Sequence, residues 1–203
     1  MSYEEFLNLE HEGGLVEWVN GEVIFHAMPK LSHQRIVLFL AQLLGLFARM
    51  TQAGEVLIAP YIMRIIPDEK GREPDILFVA QENLKRITEK ELQGPADIVV
   101  EVISEESVKR DQQEKFHEYQ QGGVREYWMI DSRHENQHAQ FYLLDEQRRY
   151  QPVALPTDGI YHSTVLHGFW LKTTWLWQND PDPLAALAEI IGPERLVSRN
   201  DAC

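Results

Sequence analysis

Glu101 is the charged side chain inside the run Ile98-Val99-Val100-Glu101-Val102-Ile103, whose other members are all apolar. Such a run reads as a strand buried on both faces. On it Glu101 shares a face with Val99 and Ile103, while Val100 and Val102 point the other way. An unpaired carboxylate in that place costs several kcal/mol, about the whole stability margin of a domain. The group must therefore be paired, protonated or bound to a metal. Asp75 stands in a similar place, behind Pro74 at the head of the apolar run Ile76-Leu77-Phe78-Val79-Ala80. Two acids at neighbouring strand ends can converge on one hard divalent cation, Mg²⁺ or Mn²⁺, which takes oxygen ligands and keeps waters for reaction. Glu17, between Val16 and Trp18, is a third acid able to close the same site.

The segment after Glu101 adds Asp111 and Lys115, four apart and thus on one helix face, with Glu118 and Tyr119 a turn further. A lysine aimed at a metal site can orient a water and offset the charge that develops on a phosphate. His33 lies at the start of a long apolar helix, where helix ends favour anions. Each has a plainer use. Asp111 and Lys115 make an ordinary surface pair of about 0.3–0.5 kcal/mol, and Asp75 a turn residue after proline. Glu17 can face outward from a hairpin, and His33 can be an unremarkable residue of a first helical turn. An acid pair also serves glycoside hydrolysis, for which a sugar cleft would replace the metal. Arg72 and Arg125 are cations that could meet phosphate, with a solvated surface charge as the default. Trp170, Trp175 and Trp177 could stack on bases, although their alternation with polar residues fits core packing on a half-buried strand.

Several elements must hold these residues in place. Ser2 and Glu5 have capping-box spacing and open a short helix that Gly13-Gly14 would close. Asn20-Gly21, between β-rich runs, predicts a tight hairpin. Apolar spacing predicts the main core helix from a Ser32 cap to about Ala53, stopped by Gly54. The β-rich run from Glu55 to Ile66 then forms an antiparallel pair with the strand headed by Asp75. A helix is expected at about 81–92 and an exposed helix from Ser107 to Gln121, ended by Gly122-Gly123. Val124 to Asp131 reads as another buried strand. Further strands are expected from His138 to Trp177, and a capping helix at about 181–191. Strands alternating with helices around Glu101 suggest a sheet of mixed direction.

The chain of 203 residues suits one domain over 1–203, with a core at about 15–131 and a β-rich extension at about 138–177. Cys203 is the sole cysteine, so no intrachain disulfide can form, and a cytoplasmic setting is expected. The longest apolar stretch is 12 residues and the N-terminus lacks a signal pattern, so no membrane partner is expected. A net charge of −13 argues against a protein that coats nucleic acid and confines any such role to a local site.

Five strings in order, VEWVNGEVI, SHQRI, REPDILFV, DIVVEVISEES and KRDQQEKFHEYQQGGVREYWMID, resemble the Uma-two family of restriction-endonuclease-like proteins. The resemblance implies an α/β (α+β) fold of the PD-(D/E)XK nuclease type: a mixed sheet flanked by helices, here with a β-rich C-terminal extension. It implies a Mg²⁺- or Mn²⁺-dependent endonuclease with DNA as substrate, or a catalytically inactive binding or assembly module on the same fold. Pro74-Asp75 matches the PD element and Glu101 the second acid. The metal would take Asp75, Glu101, the Val102 carbonyl and Glu17. The usual lysine beyond the second acid is missing, since position 103 is Ile, and Lys115 is its expected replacement, with His33, Asp111 and Tyr119 in support. Exposed edge strands permit a homodimer.

Overall fold

The order of elements follows from the turns that punctuate the chain. In the computed structural model, residues 1–9, 16–25, 30–66, 70–103, 110–133 and 135–197 are described. The expected stop at Gly13-Gly14, the start of the helix predicted from Ser107, and Cys203 lie outside them. Helix α1 (Tyr3–Leu7) opens with the reciprocal Ser2–Glu5 capping box. Strands β1 (Val16–Val19) and β2 (Glu22–Phe25) pair across Asn20 and Gly21, both at positive φ, as the hairpin turn demands. Helix α2 (Leu31–Thr51) follows, two residues earlier than expected. Lys30, not Ser32, is its cap residue, and the chain leaves through a left-handed Gln52.

The Glu55–Ile66 run is not one strand. It breaks at Ala59-Pro60 into β3 (Gly54–Ile58) and β4 (Ile62–Ile66), which belong to different sheets. Proline lacks the ladder donor, so pairing cannot run through it. Short β5 (Lys70–Arg72) precedes β6 (Ile76–Ala80). The helix expected at 81–92 is a 3₁₀ turn, Gln81–Arg86, followed by β7 (Glu91–Gln93). Next come β8 (Ile98–Ile103), a wide π-helical turn Arg110–Lys115, helix α3 (Phe116–Gly122) and β9 (Glu126–Asp131). The extension supplies β10 (His138–Leu144), β11 (Tyr150–Pro152), β12 (Ile160–His162) and β13 (Trp170–Lys172). Thr173–Trp177 is a 3₁₀ turn rather than the end of a strand. Helices α4 (Pro183–Ile191) and α5 (Pro193–Val197) close the described chain.

The main sheet has the order β11-β10-β9-β8-β6-β3, with β8 and β9 parallel and the other pairs antiparallel. Its residues alternate between two cores, as the period of a strand requires. Ile76, Phe78, Val100 and Val102 face α2, whose Leu40, Leu43, Leu44 and Phe47 pack on them together with the extension. Leu77, Val79, Val99 and Ile103 face the opposite way, against Met63, Ile65 and Tyr119. The second sheet, β2-β1-β5-β4-β7, lies with that second core. By length and hydropathy α2 could cross a bilayer, but here its apolar face is packed on the sheet. Trp175 is buried in the first core and Trp170 stacks on it at 5.3 Å, which is core packing.

Candidate functional site

Asp75 and Glu101 come to one level of the sheet because β6 and β8 are antiparallel neighbours. Ile76 pairs with Val100, so the next step of the ladder sets Asp75 opposite Glu101. Both are buried. The Asp75 carboxylate takes the Val102 backbone N–H on Oδ2 at 2.7 Å, and His33 Nε2 lies 3.2 Å from the same oxygen. His33 reaches it from the first turn of α2, and its Nδ1 is buried without a partner among the described residues. Val102 thus enters the site through its N–H.

Glu101 faces the second core, where α3 covers it. Lys115 Nζ donates to its Oε1 at 2.9 Å and Tyr119 OH to the same atom at 2.5 Å. Lys115 Nζ also lies 3.3 Å from Glu17 Oε1. One ammonium therefore bridges acids from two sheets. Burial, followed by the charges of Glu101 and Glu17, holds the Tyr119 phenol well above its usual range, so it stays a donor. The helix carrying these groups is not exposed as expected, since Lys115, Glu118 and Tyr119 are buried. Its polar pattern reads as solvated only while the acids that receive it are out of view. Ile103 is fully buried among apolar residues.

A second layer, which the sequence reading left as surface charge, fixes the first. Arg72 is fully buried, with its NH1 on Glu17 Oε2 at 2.8 Å and its Nε and NH2 on the two Glu118 oxygens at 2.8 and 2.9 Å. Lys70 adds a bond to Glu118 at 2.8 Å. Burial works against the Arg72 charge, but Glu118 and Glu17 outweigh it and raise its pKa. Burial likewise works to raise Glu118, and Arg72 and Lys70 overcome it, so this carboxyl titrates below its usual range. Glu73 receives the Val16 N–H at 2.8 Å, and burial together with the Glu17 charge pushes it up to about 7. The available signal was helical spacing: Glu118 shares a face with Lys115, so whatever buries one buries the other.

Other expected residues are placed elsewhere. Arg72 faces no phosphate; it is the interior cation just described. Arg125 is half-exposed, 3.5 Å from Asp97 just before β8, at the end of the strand away from Glu101. Asp111 lies in the π-helical turn, with its side chain outside the described residues.

The donors suit a hard divalent ion in kind, since Asp75 and Glu101 are oxygen acids at one level of paired strands. No group of three acids, histidines or cysteines is gathered to hold one among the described residues. Mg²⁺ sites commonly use one or two carboxylates and complete the shell with water and substrate oxygens. The arrangement fits that type, not an all-protein cage.

The profile of the Uma2 family, described as "Putative restriction endonuclease", matches residues 3–174. A comparison with curated proteins returns no match. Among solved structures, a protein from Anabaena variabilis titled a "putative nuclease belonging to DUF820" superposes with a TM-score of 0.69 at 15% identity. The match covers 87% of this chain and 97% of that one. The mixed sheets with flanking helices are thus a restriction-endonuclease-like fold.

Proposed function

Because this chain belongs to the Uma2 family, we propose that it is a divalent-metal-dependent nuclease that hydrolyses phosphodiester bonds in DNA. One observation carries the reading: two buried acids, Asp75 and Glu101, stand at one level of the paired strands β6 and β8, with Lys115 bonded to the second. The family's description points to nucleic acid as the substrate class.

Asp75 and Glu101 would hold Mg²⁺ or Mn²⁺, with the Val102 carbonyl and Glu17 as further oxygen donors nearby. Such an ion, when bound, lowers the pKa of a water and polarises the phosphoryl oxygen. The protein's own groups do the rest. Val102 N–H and His33 orient the Asp75 carboxylate through Oδ2. Tyr119 keeps its proton and holds Glu101 Oε1 in place. Lys115 Nζ is the cation available to the phosphate oxygens as negative charge builds on them. Arg72 and Glu118 set the height of α3 over the sheet, and therefore the position of that amine.

Plasmid cleavage with Mg²⁺ or Mn²⁺, alongside calorimetric metal titration, tests this. Asp75→Asn and Glu101→Gln should lose both metal binding and cutting. Lys115→Ala should keep metal binding and lose cutting. No metal binding by the parent at millimolar concentration would sink the reading. A parent that binds metal and DNA without cutting would instead be a silent module on a nuclease fold.

A further inference from the structure

A pocket with about 90 Å³ of room lies between the first turns of α2, the end of β9 and the segment from Leu176 to Pro181. It adjoins the candidate site through two elements. The α2 turn that sends His33 to Asp75 also supplies Ser32 and Arg35 to the pocket. Ser132, which lines it, donates its Oγ to the Ile103 carbonyl at 3.1 Å, just past Glu101 on β8.

The lining has a specific chemistry. Ile36 and Phe39 give an apolar floor, and the half-buried Trp177 indole gives a flat wall. Gln137, Gln178 and Asn179 present amides, each able both to donate and to accept. Among the described residues none of these three amides, nor the Arg35 guanidinium, has a side-chain partner in the protein. The chain carries 32 acids and 19 basic residues, yet among the described residues no acid lines this pocket and one arginine does. It is a locally positive recess in a negative molecule. Its volume holds roughly six waters, or one planar ring in their place.

We propose that this pocket binds a single unpaired nucleobase of a DNA strand whose backbone continues toward Asp75 and Glu101. Trp177 stacks on the base, the amides read its polar edge, and Arg35 meets the adjoining phosphate. The inference rests on the nucleic-acid reading above and deepens it: the substrate is DNA with an unstacked base, single-stranded or locally opened, beside the bond to be cut. A base can exchange hydrogen bonds with these amides, whereas an alkyl ligand can make none with them.

Fluorescence anisotropy of a labelled single-stranded oligonucleotide, in EDTA so that nothing is cut, tests the pocket on the full chain. Trp177→Ala should weaken binding about five- to a hundred-fold, and Trp177→Phe should recover most of it. Asn179→Ala and Arg35→Ala, both at exposed positions, should weaken binding without touching the core. Replacing the bases one at a time by an abasic sugar should reveal one sensitive position, and that loss should not add to the Trp177→Ala loss. Equal binding by all variants, or additive losses at every position, overturns the proposal. Should the parent cut plasmid while the pocket variants bind as well as it does, the pocket fails and the nuclease reading stands. If binding follows Trp177 but the parent never cuts, the pocket stands and the nuclease reading fails.

Discussion

Taking away the Lys115 amine removes the cation that the buried Glu101 and Glu17 share at 2.9 and 3.3 Å, while Arg72 still pairs with Glu17. Breaking a buried pair from one side costs about 3–5 kcal/mol, because the remaining charge has no water to turn to. Lys115→Ala should therefore lower the unfolding free energy from urea curves by that amount, and Lys115→Met with Glu101→Gln should regain part of it while still failing to cut. The Arg72–Glu118 fork predicts a pH effect. Glu118 is held below its ordinary value of 4.5 when folded, so its contribution is present above that value and fades as pH falls through the lower folded one. Glu118→Gln should accordingly be less stable than the parent at pH 7, and the gap should narrow progressively in unfolding curves recorded at falling pH below 4.5. Glu101 and Asp75 were legible in the sequence because a carboxylate in an apolar run announces its own cost. Arg72 and Glu118 were not, since a charged residue among charged residues looks solvated until the fold shows what covers it.

At the scale of elements, two glycines make opposite predictions. Gly45 lies inside α2 with nothing near enough to meet an added methyl group. Gly45→Ala should raise stability by about 0.5–1 kcal/mol and the melting temperature by a few degrees. Gly54 opens β3 at φ +152°, and an added Cβ would sit 2.1 Å from the Val79 carbonyl oxygen. Gly54→Ala should lower stability and speed hydrogen exchange along β3, the edge strand of the main sheet. The hairpin and α2 could be read in advance because each is written locally, in a turn dipeptide and in a 3.6-residue period. The division of Glu55–Ile66 between two sheets could not, because both halves carry the same strand signal and only tertiary pairing says which neighbour each takes. The segment at 81–92 misled for a related reason. Its residues suit a helix, but Glu91–Gln93 finds a ladder on β4, and pairing outranks propensity.

For the whole molecule, the net charge of −13 means that the proposed DNA binding should depend on local cations and on the ion. Affinity for a plasmid should fall steeply between 50 and 200 mM salt and rise on adding Mg²⁺, measured by filter binding. The fold itself should not need that ion. Lys115, Arg72 and His33 already stand against the acids, so EDTA should leave the melting temperature unchanged. Adding Mg²⁺ at a hundred times its dissociation constant should add about 2.7 kcal/mol, and nothing in Asp75→Asn or Glu101→Gln. The overall architecture was legible through the alternation of strands and helices around Glu101, whereas the pocket beside it was not, being assembled from side chains far apart in sequence. The internal cations have a consequence for the cell. Under the proposed function, a chain that neutralises its own acids can complete folding before the ion that would arm it binds, so synthesis and activity would become separate events in time.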